Sequence, residues 1–228
     1  MVKVTMKVSI IHGDNNFVSR SHLQKNLGIA KGKGWSIVRL GNSQLKISEE
    51  LSNLSLFEDK TLYFLDGGEK LTPAELTWFK ENADHHQSFL LIYSPKQLPP
   101  TFFKNFPKEA KIERFDIPQK IFTLLESFYP GNGKVFLNLL QQVSATEPIE
   151  FIFSLLAKQI RDLYWVLTDA KTLIYPPWRL AKIQKQAQKF TPEDLQKIIE
   201  TLSRDDIAAK TSKVNLLDSL GLLIIKTL

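Results

Sequence analysis

Residues 47–66 read ISEELSNLSLFEDKTLYFLD and place a short amphipathic helix directly before an apolar strand. Ser48 is a favourable N-cap residue, and the two acidic residues that follow it suit the positive end of the helix dipole. At about 100° per residue, Ile47, Leu51 and Leu54 share one narrow arc of the helix. The pattern therefore predicts a helix that buries this stripe against the strand it precedes.

Two apolar residues at the end of this helix do not fit its buried stripe. Leu56 lies about 200° around the helix from Leu54, and Phe57 lies beside the edge of the stripe. Either Leu56 points outward, or the last turn unwinds and both side chains pack under the edge of the sheet. The pattern alone leaves both alternatives open, since single exposed apolar residues are common.

The first part of the chain, residues 1–117, alternates strands with helices. Strands are predicted at 4–11, 35–40, 61–65, 87–93 and 111–115. The apolar run that ends at Tyr93 is expected to be a central strand, covered on both faces. Thr72, Pro73 and Glu75 provide an N-cap, an N1 proline and a capping box for a helix. This alternation predicts an α/β domain with a parallel sheet and flanking helices.

After Ile117-Pro118 the strand patterns end and amphipathic helices follow. Helices are predicted at 119–129, 133–143, 148–168, 178–189, 192–203 or beyond, and 216–228. The sequence thus predicts an α/β domain at 1–117 and an all-α helical bundle at 118–228. Each part has its own apolar stripes, so we expect the helical part to fold without the first.

The composition is typical of a soluble globular protein. Apolar residues make up 43% and charged residues 24% of the chain, and the formal net charge of +6 permits contact with nucleic acid without requiring it. No apolar run approaches the ~20 residues of a membrane span, and the N-terminus lacks a signal-peptide pattern. Since the chain has no cysteine, we expect a protein of the reducing cytoplasm without disulfides.

The sequence lacks the motifs of a working nucleotide site. The stretch after the first strand, residues 12–19, has one glycine, no Lys-Ser/Thr pair and an acid where phosphate would lie. The glycine-rich residues 28–34 have the wrong spacing and are expected to link a helix to a strand. Asp66 resembles the acid of a magnesium-binding strand. The next position, where a catalytic glutamate would follow, is occupied by Gly67. We predict an ATPase-like frame that neither binds nor hydrolyses ATP, and therefore no enzyme activity and no cofactor.

Metal and hydrolase chemistry have little support either. His85 and His86 are adjacent in a predicted loop, and adjacent side chains point differently on most backbones, so no metal site is predicted. His12 and His22 are expected to be a turn residue and a helix-surface residue. There is no Gly-x-Ser-x-Gly elbow for a catalytic serine.

Basic residues share about 120° of the helix predicted at 178–189, opposite an apolar stripe. These cations are Arg179, Lys182, Lys185 and Lys189. The pattern fits a solvated face, and it also fits contact with another subunit or with the DNA backbone. Nothing in it indicates that bases are read.

The first part of the chain resembles the delta subunit of bacterial DNA polymerase III clamp loaders. Ser55-Leu56-Phe57 at a helix end, followed by charged residues and a strand, is similar to the clamp-binding element of that family. Residues 11–14, Ile-His-Gly-Asp, are similar to its first strand and the Gly-x-Asp/Glu that follows. The family also lacks a working phosphate loop.

The helical part extends the resemblance over nearly the whole chain. Residues 148–167 look like the long helix of the collar domain of delta subunits. Residues 186–195 are similar to the joint Ala-x-x-Phe-Ser/Thr-x-Glu-x-Leu, and residues 206–212 resemble the signature Asp-x-x-x-Lys-Thr-Gly, with Ser212 in place of the glycine. The small helical lid that delta subunits usually carry before the collar is largely missing, since Pro118 leads almost directly into collar-like sequence.

The resemblance implies a degenerate AAA+-like domain followed by a collar domain, in a non-catalytic subunit for DNA replication. Leu56 and Phe57 would insert into a pocket of the ring-shaped sliding clamp (beta) and help open the ring for loading on primed DNA. The expected partners are that clamp, loader subunits of the tau/gamma and delta-prime type and primed DNA, with no membrane. The alternatives are a P-loop ATPase, or a shortened clamp-loader-like protein that binds DNA or supports assembly.

Overall fold

The computed structural model describes residues 6–41, 47–52, 60–82 and 89–228. The chain forms two compact units, Met1–Ile117 and Pro118–Leu228. In the described ranges, no helix is both long and apolar enough to cross a membrane.

The first unit is built on a five-stranded parallel sheet in the order β2-β3-β4-β1-β5. Its strands are β1 Lys7–His12, β2 Ser36–Leu40, β3 Thr61–Asp66, β4 Phe89–Tyr93 and β5 Lys111–Arg114. Strand β4 occupies the middle, and its last four residues are buried, as predicted for a strand covered on both faces. The predicted α/β class with a parallel sheet is confirmed.

The helices of this unit are divided between the two faces of the sheet. They are α1 Asn16–Gly32, α2 Ile47–Ser52, α3 Pro73–Asn82 and α4 Pro100–Phe103, with a 3₁₀ turn at Gly68–Lys70. Among the described helices, α1 packs on the face of Ile11 and Tyr93, through Leu23. Residues of the other three described helices pack on the opposite face, among them Leu51 and Phe79. Strand residues alternate between these two cores because successive side chains point to opposite faces.

Two expectations about helix ends are wrong. Helix α1 continues to Gly32, so most of the glycine-rich segment 28–34 is helix rather than a link, and the turn falls at Lys33–Gly34. Glycine costs only about 1 kcal/mol inside a helix, which packing elsewhere can offset. Helix α2 begins at Ile47, so Ser48 lies within the first turn and is not its N-cap.

The predicted capping box at the start of α3 is confirmed. The backbone N–H and hydroxyl of Thr72 donate to Glu75 Oε2 over 2.8 and 2.7 Å, and the Glu75 N–H donates to Thr72 Oγ1 over 3.3 Å. Thr191 likewise accepts from the N–H of Asp194 over 3.1 Å at a second helix start. Both sites satisfy backbone donors that a helix start leaves without partners.

The second unit is entirely helical, apart from turns and loops. Its helices are α5 Gln119–Glu126, α6 Gly133–Ser144, α7 Ile149–Thr168, α8 Pro177–Ala187, α9 Pro192–Lys210 and α10 Leu216–Thr227, with a 3₁₀ turn at Ala170–Thr172. Long helix α7 packs against α8 and α9, and its Ile152, Leu156 and Ile160 are fully buried. These apolar residues recur every four positions, so they form one stripe facing the bundle core.

Candidate functional site

The loop after β1 stands where a nucleotide-binding protein would hold phosphate, and its amides are used inside the fold. The Gly13 N–H donates to the Lys96 carbonyl over 3.3 Å, and the Asn15 N–H donates to the Phe115 carbonyl over 3.0 Å. Asp14 Oδ1 accepts the Ile117 N–H over 2.8 Å. A phosphate loop needs such N–H groups directed at the ligand. This loop instead ties β1 to the segments on either side of it.

His12 is buried at the end of β1, rather than lying in the turn where the sequence analysis placed it. Its side chain is 2% exposed, and its ring lies 5.1 Å from that of Phe103. Its Nδ1 accepts the Leu98 N–H over 3.2 Å. Burial lowers the pKa of His12, Arg114 lowers it further, and Asp116 opposes them. His12 thus acts as a neutral hydrogen-bond acceptor within the fold.

A pH dependence of stability follows from this lowered pKa. Below the unfolded-state pKa of 6.5, the unfolded chain binds more protons, so the free energy of unfolding falls as the pH falls toward the folded-state pKa. We expect a contribution of up to about 1.4 kcal/mol per pH unit in this window. His12→Asn should remove it, because the Asn Oδ1 accepts the Leu98 N–H without titrating. Urea unfolding between about pH 7.5 and 5.5 measures the slope.

The matched control for this measurement is His22→Asn. His22 is half-buried on α1, with Nε2 3.1 Å from Glu113 Oε1, and it makes no use of the Leu98 N–H. The dependence of the free energy of unfolding on pH that is attributed to His12 should persist in His22→Asn. An unchanged slope in His12→Asn would assign the pH dependence to other groups.

A polar cleft opens at the carboxyl ends of β2, β3 and β4, where parallel sheets commonly bind ligands. Its volume is about 540 Å³, and its lining includes Arg20, Arg39, Asp66 and Lys70. Arg39 Nη2 lies 3.2 Å from Asp66 Oδ2, so the acid that imitates a magnesium-binding residue is paired with a cation. Within the described part of the chain, no three His, Cys, Asp or Glu side chains are grouped to hold a metal ion. Asp66 is recognisable from the sequence, whereas the surrounding cleft is not.

The predicted clamp-binding residues Leu56 and Phe57 lie outside the described residues. Helix α2, which precedes them in the chain, is described from Ile47 to Ser52, and its Ile47 and Leu51 are buried, as the amphipathic pattern predicts. Glu50 Oε2 also accepts the Gly41 N–H over 2.8 Å. Helix α2 is therefore fixed at its beginning to the core and to the end of β2.

The four predicted cations make several contacts within their own unit. Arg179, Lys182 and Lys185 lie on α8, whereas Lys189 lies in the turn after it, because α8 ends at Ala187 rather than at the predicted residue 189. The Arg179 guanidinium lies 4.2 Å from the ring centroid of Tyr175, and Lys189 Nζ lies 3.2 Å from that of Tyr129. Lys182 Nζ pairs with Glu126 Oε1 over 2.9 Å. Lys185 is exposed on the same helix. Three of these four cations thus bind neighbouring side chains, which favours a mainly structural role for them.

Gln186 is a structural residue that the sequence analysis did not single out. It is 7% exposed, and its Nε2 donates to the Leu125 and Phe128 carbonyls over 2.8 Å each. Its Oε1 accepts from Gln159 Nε2 over 2.7 Å. Its position beside Ala187 on the buried face of α8 was the available signal. Through it, α8 holds the end of α5 and contacts α7.

A five-stranded parallel α/β unit is thus followed along the chain by a helical bundle. Residues 118–227 match the family "DNA polymerase III delta subunit, C-terminal domain". This match spans the helical unit and confirms, for that part of the chain, the resemblance to delta subunits that the sequence indicates.

The solved structures that resemble this chain share little sequence identity with it. The chain is similar to the DNA clamp loader delta protein of Bacillus subtilis at 13% identity, covering 98% of this chain and 95% of that one, with a TM-score of 0.44. A DNA polymerase III gamma subunit-related protein of Thermotoga maritima shows 11% identity, coverage of 99% and 95%, and a TM-score of 0.34. Drosophila ORC bound to AT-rich DNA and Cdc6 shows 10% identity, coverage of 96% and 45%, and a TM-score of 0.34. No curated protein matches the chain.

Proposed function

We propose that this chain is a non-catalytic clamp-loader subunit that binds the sliding clamp and helps open its ring for loading on primed DNA. The observation that carries the proposal is the match of residues 118–227 to the C-terminal domain of the delta subunit. The amides at Gly13 and Asn15, which bond within the fold, support a role without ATP hydrolysis. The same contacts count against the alternative of a P-loop ATPase.

Leu56 and Phe57 are the proposed clamp anchor. A pair of adjacent large apolar side chains suits the small central cluster that carries most of the energy at many protein interfaces. The beginning of α2 supports this assignment because Ile47 and Leu51 already fill its core-facing stripe.

The helical unit is the proposed site of assembly with the other loader subunits, of the tau/gamma and delta-prime type, in the cytoplasm. Its match to the delta C-terminal family supports this role. Primed DNA would be held within the complete assembly. Of the four cations, Lys185 is the best placed to contact an outside partner. The other three, Arg179, Lys182 and Lys189, contact side chains within the unit.

The anchor is tested by the double variant Leu56→Ala with Phe57→Ala. Clamp affinity should fall at least about tenfold, equivalent to 1.4 kcal/mol of binding free energy. The free energy of unfolding should stay nearly unchanged, because an anchor pair is exposed in the free protein. Surface plasmon resonance on the immobilised clamp and urea unfolding measure the two quantities on one preparation.

The matched control removes two other exposed apolar side chains of the same unit, Val38 and Ile112, which are 38% and 45% exposed. Val38→Ala with Ile112→Ala should leave clamp affinity unchanged. A loss of several kcal/mol of stability in the Leu56/Phe57 variant would show that the pair is core. Intact folding with unchanged clamp affinity would reject this site.

A further inference from the structure

An apolar groove of about 470 Å³ lies in the helical unit, between α6 and α10. One wall includes Leu137 and Gln141 of α6, and the other includes Gly221, Leu222 and Ile225 of α10. The walls are mostly hydrocarbon, so water in the groove gains few hydrogen bonds. Displacing that water with apolar side chains is favourable.

Helix α10 carries exposed apolar side chains as well as a buried stripe. Leu220, Leu223 and Ile224 are buried within the unit, while Leu222 and Ile225 are 58% and 72% exposed. Neighbouring large apolar side chains left exposed often mark an interaction site. The outer stripe of α10 therefore has the character of an interface.

We propose that this groove binds α10 of a second copy of the chain, with the two α10 helices antiparallel across a two-fold axis near Leu222. In such an interface the same patch supplies both the groove and the helix that fills it. Each α10 would lie against its counterpart and against α6 of the other copy. This self-association is separate from the proposed clamp binding, which uses the first unit. It uses α6 and α10 of the helical unit, the unit that is also proposed to assemble with other loader subunits.

Charge complementarity favours a second copy as the occupant. Asp218 lines the groove at the start of α10, and Lys226 is exposed in its last turn. The two positions are equidistant from Leu222, so an antiparallel pair sets Asp218 of each copy beside Lys226 of the other. The contact would extend over about 12 Å, at 1.5 Å per residue.

Gly221 fits the same arrangement. Nothing lies within 4 Å of a Cβ built at this position, so packing within the unit does not require a glycine in the middle of α10. Glycine in a helix is less stable than alanine. At the proposed interface it would let the Leu222 side chain of the other copy approach the helix backbone closely.

Sedimentation velocity of the full chain from about 1 to 100 µM tests the proposal, and a reversible dimer is the expected result. Leu222→Asp should weaken dimerisation at least about tenfold. The control, Ile207→Asp, changes a residue of α9 that is 63% exposed outside the groove, and it should leave dimerisation unchanged. A monomer at every concentration would overturn the proposal and leave the groove to a helix of another protein.

Charge reversal keeps the test decisive if Leu222→Asp fails to fold. Asp218→Lys and Lys226→Asp should each weaken the dimer, because like charges would then face each other across the axis. The double reversal should restore the dimer toward the wild-type affinity. A dimer whose affinity is unchanged by all these substitutions would also overturn the proposal, since its interface would lie elsewhere.

Discussion

Gly13→Ala is expected to destabilise the α/β unit by at least about 3 kcal/mol, among the larger effects of a single substitution. Gly13 has a φ of +131°, and a Cβ at this position would lie 2.0 Å from the Phe115 carbonyl oxygen. Neither atom can move alone, because the Phe115 carbonyl also accepts the Asn15 N–H and the Phe115 N–H donates to the His12 carbonyl. Relief of the clash must therefore separate β1 from the segment after β5.

Urea unfolding followed by tryptophan fluorescence measures this effect. The control is Gly34→Ala, at a φ of +76° with nothing within 4 Å of the added Cβ. That change should cost only about 1–2 kcal/mol, the conformational penalty of an L-residue in the left-handed region. Equal losses in the two variants would show that the clash at Phe115 is relieved easily.

The parallel α/β class of the first unit could be predicted because local patterns determine it. The run ending at Tyr93 is apolar at every position from Phe89 onward, and only a strand between two others and under two layers buries such a run. The capping residues Thr72 and Glu75 act through their own backbone neighbours, so their spacing was sufficient. In both cases the decisive interactions lie within the stretch itself or follow from the parallel topology.

The features that escaped prediction depend on contacts between residues far apart in the chain. The buried His12 accepts a hydrogen bond from the Leu98 N–H. The buried Gln186 donates to the Leu125 and Phe128 carbonyls at the end of α5. Neither partner is identifiable from residue spacing. The helical end of residues 28–32 was missed for a different reason, since glycine propensity is a weak prior that tertiary packing overrides.

The candidate site, too, was predictable only where local residue patterns determine it. The sequence predicts no phosphate site after β1, because the residue types that such a site needs are missing there. The structure adds that the Gly13 and Asn15 amides bond within the fold. Arg179, Lys182 and Lys185 were predictable as one arc of α8, whereas Lys189 lies in the turn after the helix. Their pairing with Tyr175, Glu126 and Tyr129 was not predictable, since those partners lie on other segments.

Gln186→Ala is expected to destabilise the helical unit by about 2–4 kcal/mol, which combines lost hydrogen bonds with a small cavity. The amide of Gln186 is the side-chain donor to the Leu125 and Phe128 carbonyls. Without it, both carbonyls lose a donor in a place where water has little access. Thermal and urea unfolding, monitored by circular dichroism at the helical band, give the change in free energy.

Two further substitutions separate hydrogen bonding from packing at this position. Gln186→Met keeps most of the side-chain volume and removes the donors, so it should retain most of the loss if hydrogen bonds dominate. Gln188→Ala, at the exposed C-cap of the same helix, should change the free energy of unfolding by no more than about 0.5 kcal/mol. Near-wild-type stability in Gln186→Met would mean that packing, rather than the link to the end of α5, is what this residue contributes.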